Sequence, residues 1–175
     1  MNARVITLIA AAIAVACQII IAPIIQVGSI VPNFLVVFIL ALAIVRPPDT
    51  TYIYAFVLGL LSDLLANTPV GLTPLLLLIV CFALPRVFNV LDDSSPVMPL
   101  VALASTVFVF ELIVMIVLLV MGYPATILEL LMQRMLPAFL YNALLGALVY
   151  FLCRKFIPTD GASQAWTISD SQRYR

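Results

Sequence analysis

The chain has 175 residues, of which 65% are hydrophobic and 9% charged, and its formal net charge is zero. Soluble domains are roughly 45–50% apolar and about 25% charged, and a globule this small has too little interior to hide the excess. The numbers exclude a soluble fold, and the balanced charge excludes a basic field for nucleic acid.

With a mean hydropathy of +1.26, the expected solvent is lipid. There is no histidine, which removes Ser–His and Cys–His dyads and every imidazole metal site. Cys17, Cys81 and Cys153 stand singly in apolar runs and read as small hydrophobes. No Gly-rich phosphate loop, nucleophile elbow or short-spaced carboxylate pair is present. No enzymatic chemistry, cofactor or metal is expected.

Six apolar runs follow in chain order. Val5 to Ile25 is uncharged and longer than the apolar part of a secretory signal, so it reads as a retained membrane helix. Gly28-Ser29 separates it from a second run, Ile30 to Val45, which opens with Val31-Pro32-Asn33-Phe34. Arg46-Pro47-Pro48-Asp49 breaks the chain. Asp49, Thr50 or Thr51 is expected to cap a third helix, which runs to about Ala66.

Asn67-Thr68-Pro69-Val70-Gly71 reads as a turn. Thr73-Pro74 is a cap-and-proline start for a fourth helix, which stops or kinks at Pro85-Arg86. Asp92-Asp93 reads as a solvated turn. Ser95-Pro96 starts a fifth helix, Val97 to Met121, which Gly122 and Pro124 end. Thr126 and Glu129 have capping-box spacing, and with Gln133 they mark a short amphipathic stretch along the interface. Pro137 then bends the chain into a sixth span ending near Phe156.

In lipid the backbone must satisfy its own hydrogen bonds, so the spans are helices. A barrel would show alternating strands of about ten residues. The expected fold is all-α, a polytopic membrane helical bundle of about six transmembrane helices. Residues 1–156 form the membrane domain and 157–175 a flexible polar tail carrying Trp166. Spans two to four are short, and one of them being re-entrant is the alternative. With the N-terminus inside, Arg4, Arg46, Arg86, Arg154 and Lys155 all fall on the cytoplasmic side and Arg134 alone outside. That is the positive-inside pattern, so both termini are expected in the cytoplasm.

Two carboxylates fall within spans, Asp63 and Glu111. A charge at mid-bilayer costs at least about 2.5–3.5 kcal/mol, so each must pair, protonate or face the bundle. The functional reading is an ion path or substrate anchor, and the structural one a clasp that fixes helix register. The clasp is expected, with Asp63 held by Arg134 or by backbone amides of the Asn67–Gly71 turn. Gln18 and Asn142 read as helix–helix glue. Ala10, Ala12, Ala14 and Ala16 form two overlapping small-xxx-small pairs, which read either as a helix-docking face or as internal packing.

The stretch PNFLVVFILALAIVRPPDTTYIYAFVLGLLSDLLANTPVGLTPLLLLIVCFALPR, Pro32 to Arg86, resembles the bacterial rod shape-determining protein MreD family. Gly59, Leu60, Asp63, Leu64, Leu65, Pro69, Gly71 and Leu72 fall on its G-L-x-x-D-L-L…P-x-G-L pattern. Asn33 stands where an acidic residue is common in the family. The resemblance implies a non-enzymatic subunit of the cell-elongation machinery in the cytoplasmic membrane. It would sit beside an MreC-like membrane protein, linked to an MreB-like filament and to the RodA–transpeptidase pair that builds lateral peptidoglycan. The family's fold is similar to the substrate-capture subunits of energy-coupling-factor vitamin transporters. Those subunits dock through an Ala-xxx-Ala face on span one, and they give the alternative function. A proton-coupled carrier using Asp63 and Glu111 is a third reading.

Overall fold

The computed structural model describes residues 3–28, 30–45, 48–66, 69–90 and 97–157. The expected breaks at Arg46-Pro47, Asn67-Thr68 and Asp92-Asp93, the Ser95 cap, and the tail from residue 158 with Trp166 lie outside them.

Among the described residues the fold is six helices. Helix α1 comprises Ala3–Ala16, a π-helical turn Cys17–Ile21 and a last turn Ala22–Ile24. Then come α2 (Phe34–Val45), α3 (Pro48–Leu65), α4 (Leu72–Val90) and α5 (Met98–Val120). Helix α6 comprises Ile127–Leu130, a second π-helical turn Leu131–Met135, and Leu136–Phe156. A single Val27–Ile30 bridge closes the loop before α2.

Helix α2 is the axis of the bundle. It packs against α1, α3, α4, α5 and α6, and Leu35 to Ala43 and Val45 are buried. A helix apolar all round must be buried all round, and its sequence FLVVFILALAIV leaves no polar face. With 12 residues it is only about 18 Å long, less than the hydrocarbon thickness of about 30 Å. Protein encloses it, so its ends need not reach the bilayer surfaces. By length and composition, α1, α5 and α6 can each cross a membrane, whereas the apolar parts of α2, α3 and α4 are shorter. Outward faces carry Leu8, Ile20, Ile24, Ile53, Ile79, Val120 and Leu144. A surface that apolar belongs against lipid or against other membrane helices.

Four expected boundaries move. The second helix starts at Phe34 rather than Ile30, because Asn33 caps it there, its side chain accepting the Val36 N–H. The third starts at Pro48, so Asp49, Thr50 and Thr51 lie inside it. Proline suits a first helical position, where its missing N–H costs nothing. The fourth starts at Leu72, one residue before the expected Thr73 cap, and it does not stop at Pro85 but runs to Val90. Proline's fixed φ is helical, and in lipid ending a helix early exposes more unpaired backbone than one missing bond. The expected Thr126–Glu129 capping box is present, with both reciprocal hydrogen bonds made. Where a bend at Pro137 was expected, the helix passes through the π turn Leu131–Met135, a feature at which helices commonly kink.

Two glycines mark close helix contacts. A Cβ on Gly59 of α3 would lie 2.7 Å from Pro74 Cα, and one on Gly146 of α6 would lie 2.6 Å from Leu103 Cδ2. The first obstacle is backbone and the second is the end of a leucine side chain. Gly59→Ala is therefore expected to cost about 1–3 kcal/mol by overpacking, and Gly146→Ala less than half as much. Thermal unfolding in detergent checks the ranking, and equal losses would contradict it.

Candidate functional site

Asp63, Asn33, Ser62, Gln18, Glu111 and Asn142 gather toward the end of the bundle where α1, α3 and α5 finish and α2, α4 and α6 begin, while buried Thr7 and Thr51 lie toward the other end. The first group makes two connected constellations.

The first joins α3 to α4. Asp63 is buried at 1% exposure. Its carboxylate accepts the N–H of Gly71 at 2.7 Å and the N–H of Thr73 at 3.2 and 3.3 Å. The first amides of a helix have no partner within it, and those at the start of α4 meet an acceptor from the preceding helix. Gly71 has φ +102°, a conformation L side chains rarely adopt, and this turns its N–H toward Asp63. Gly59, one helical turn earlier on α3, lies against Pro74 on the same α4 turn. Gly59, Asp63 and Gly71 thus act on one contact, with Pro69 in the turn itself, where its carbonyl accepts the Leu72 N–H at 3.2 Å.

The second constellation closes the N-terminus of α2. The Asn33 side chain accepts the Val36 N–H at 3.1 Å and donates to Ser62 Oγ of α3 at 2.8 Å. Gln18, in the π turn of α1, accepts the Phe34 N–H at 2.7 Å and donates to the Pro32 carbonyl at 3.3 Å. From α6, buried Asn142 accepts the Asn33 N–H at 3.0 Å and donates to Glu111 Oε1 of α5 at 2.7 Å. Arg134, in the π turn of α6, is an electrostatic neighbour of Glu111. Tyr141 donates to the Ile25 carbonyl at 2.7 Å, where α1 ends. Five helices are tied together through Asn33 and its neighbours.

Of the two holders expected for Asp63, backbone amides are contacts seen, from Gly71 in the turn and from Thr73 beyond it. Asn33, Ser62 and Tyr141 were not among the expected site residues. For Asn33 the signal was present in the Pro-Asn-Phe opening, because asparagine is a strong N-cap. The four alanines of α1 do not share a face. Residues two apart on a helix point about 200° apart. Ala14 is buried and Ala10 half-buried, both lining a groove between α1 and α6. Ala12 and Ala16 are exposed.

Outward apolar faces and an inward polar network bonded to helix ends define a helical membrane protein held together from inside. The family model for the rod shape-determining protein MreD matches residues 1–159, and the chain belongs to that family. It is a membrane component of rod-shape determination. No curated protein and no solved structure matches the chain.

Proposed function

We propose that the protein is a non-enzymatic scaffold of lateral peptidoglycan synthesis in the cytoplasmic membrane. It presents helix faces to an MreC-like partner, and through it to the MreB-like filament and the RodA–transpeptidase pair. One observation carries this reading. Among the described residues, no buried side-chain nitrogen or oxygen lacks a hydrogen-bond partner. Asp63, Glu111, Asn33 and Asn142 bind helix ends and one another, which supports a structural role over substrate handling.

The partner meets the outer face of α1, where Ala12 and Ala16 are exposed and backbones can approach closely. Replacing both by leucine is expected to reduce co-purification of the MreC-like partner while leaving the protein in the membrane. Unchanged capture would remove α1 as the docking helix. Depletion in rod-shaped cells is expected to round them. Cells that keep their shape but need a vitamin would overturn the scaffold reading in favour of transport.

Both termini lie in the cytoplasm. Arg4, Arg154 and Lys155 are exposed at the end of the bundle opposite the polar network, as positive-inside placement requires. A cytoplasm-dependent reporter fused after Arg175 should be active, and one inserted in the Asn67–Gly71 turn should be silent. The reverse pattern would invert the orientation.

A further inference from the structure

The hydrogen-bonded network fixes the relative heights of the helices. Gln18 of α1, Asn33 before α2, Ser62 of α3, Glu111 of α5 and Asn142 of α6 are joined through it and stand at one level, within a side chain's reach. Toward one end of the bundle, the charged positions Arg4 of α1, Asp49 of α3 and Arg154 of α6 lie about 18–21 Å from that level, at 1.5 Å per residue. Toward the other end the helices are unequal. Beyond Gln18, α1 continues about 9 Å to Ile24, and beyond Glu111, α5 continues about 14 Å to Val120. Beyond Ser62, α3 ends after about 5 Å at Leu65, and α4 begins beside it at Leu72.

The apolar height is thus about 30 Å along α1 but only about 25 Å along α3, against a hydrocarbon thickness of about 30 Å. Helices α3 and α4 pack together on α2 and expose Ile53, Phe56 and Val57, and Leu75, Ile79 and Phe82. A short apolar face is met by a thinner bilayer, by long cationic side chains reaching the surface, or by another protein. No Lys or Arg occurs from Thr51 to Pro85, which removes the second. The face itself argues against the third. Close helix contacts use small and polar residues, and on α3 these, Ala55, Gly59, Ser62 and Asp63, are all buried. Tilting the bundle does not supply the missing height either. Lifting this end of α3 and α4 would draw the charged positions Asp49 and Arg86, toward their other ends, into the membrane. From the height difference we infer that the bilayer beside α3 and α4 is thinned by about 5 Å in the leaflet at the network end. This face takes phospholipids with short acyl chains, while α1 and α5 keep a bilayer of ordinary thickness.

Leu65→Trp and Ile24→Trp, at exposed positions near the ends of α3 and α1, are made singly in the full chain with Trp166→Phe and reconstituted in dioleoyl phosphatidylcholine vesicles. Quenching by lipids brominated at graded positions along the acyl chain reads the level of lipid that each indole meets. Both are expected to meet the headgroup end of the chain. In vesicles mixed with a brominated myristoyl lipid, Leu65→Trp is expected to be quenched beyond the bulk ratio of that lipid, and Ile24→Trp in proportion to it. A Leu65→Trp indole that meets lipid about 5 Å deeper than Ile24→Trp would mean a flat bilayer and overturn the proposal. Equal quenching of the two by the myristoyl lipid would also overturn it. So would protection of Leu65→Trp from every brominated lipid, which would put protein against this face.

Discussion

Asp63→Ala is expected to lower the stability of the full chain by about 3–5 kcal/mol. The carboxylate accepts from two backbone amides, and hydrogen bonds to charged groups contribute about 1.5–3 kcal/mol each. Against a total of about 5–15 kcal/mol for a typical domain, that loss sharply reduces the folded amount. Asp63→Asn keeps one acceptor oxygen and should lose about half as much. Adding Arg134→Gln should restore nothing, because the two effects should add to within about 0.5 kcal/mol. Unfolding in graded denaturing detergent measures all three. Wild-type stability in Asp63→Ala would dismiss the clasp, and rescue by Arg134→Gln would reassign Asp63 to an ion pair.

The second large effect is expected at Asn142. Its side chain links the Asn33 amide to Glu111, so alanine strands a donor and an acceptor at once. Leaving buried partners unmade costs about 1–3 kcal/mol apiece, and Asn142→Ala should lose about 2–4 kcal/mol. Side-chain hydrogen bonds between membrane helices average about 0.6 kcal/mol, with a maximum near 1.7. The 2.7 Å bond from Asn142 to Glu111 should fall at the upper end. A double-mutant cycle of Glu111→Ala with Asn142→Ala is expected to give a coupling of about 1–2 kcal/mol. A coupling near zero would mean the two side chains touch without holding α5 to α6.

The class of fold was legible in composition and in turn residues, because a chain this apolar has few arrangements open to it. The helix order followed from prolines, glycines and caps. The limits of α2 and α4 did not, and the reason is tertiary in both cases. Thr73-Pro74 looks like a self-contained helix start, yet the acceptor for the Thr73 amide is Asp63 on the neighbouring helix. Local sequence cannot reveal a cap supplied from elsewhere. Pro85 looks like a stop by the rules of water, where a broken helix finds solvent partners.

The motif residues were recognisable before their purpose was. Gly59, Asp63 and Gly71 stand on the family pattern, but only the geometry shows them acting on one α3–α4 contact. Asn33, a departure from the family's acidic opening, fills a capping role for which its side chain is chemically fit. The spacing of Ala10, Ala12, Ala14 and Ala16 suggested either a docking face or internal packing, and the helical period divides them between a groove and the outer surface.

The central claim is that the polar residues inside the bundle hold its form, and that form is what the protein contributes to cell shape. The most direct measurement replaces the native copy with Asp63→Asn, Glu111→Gln, Asn33→Ala or Asn142→Ala and records, for each, both the folded amount in the membrane and the cell width. The account predicts one curve, with shape failing only as folded protein falls. A variant present at wild-type folded levels whose cells nevertheless round up would contradict it, and would make that residue a working contact or a proton site.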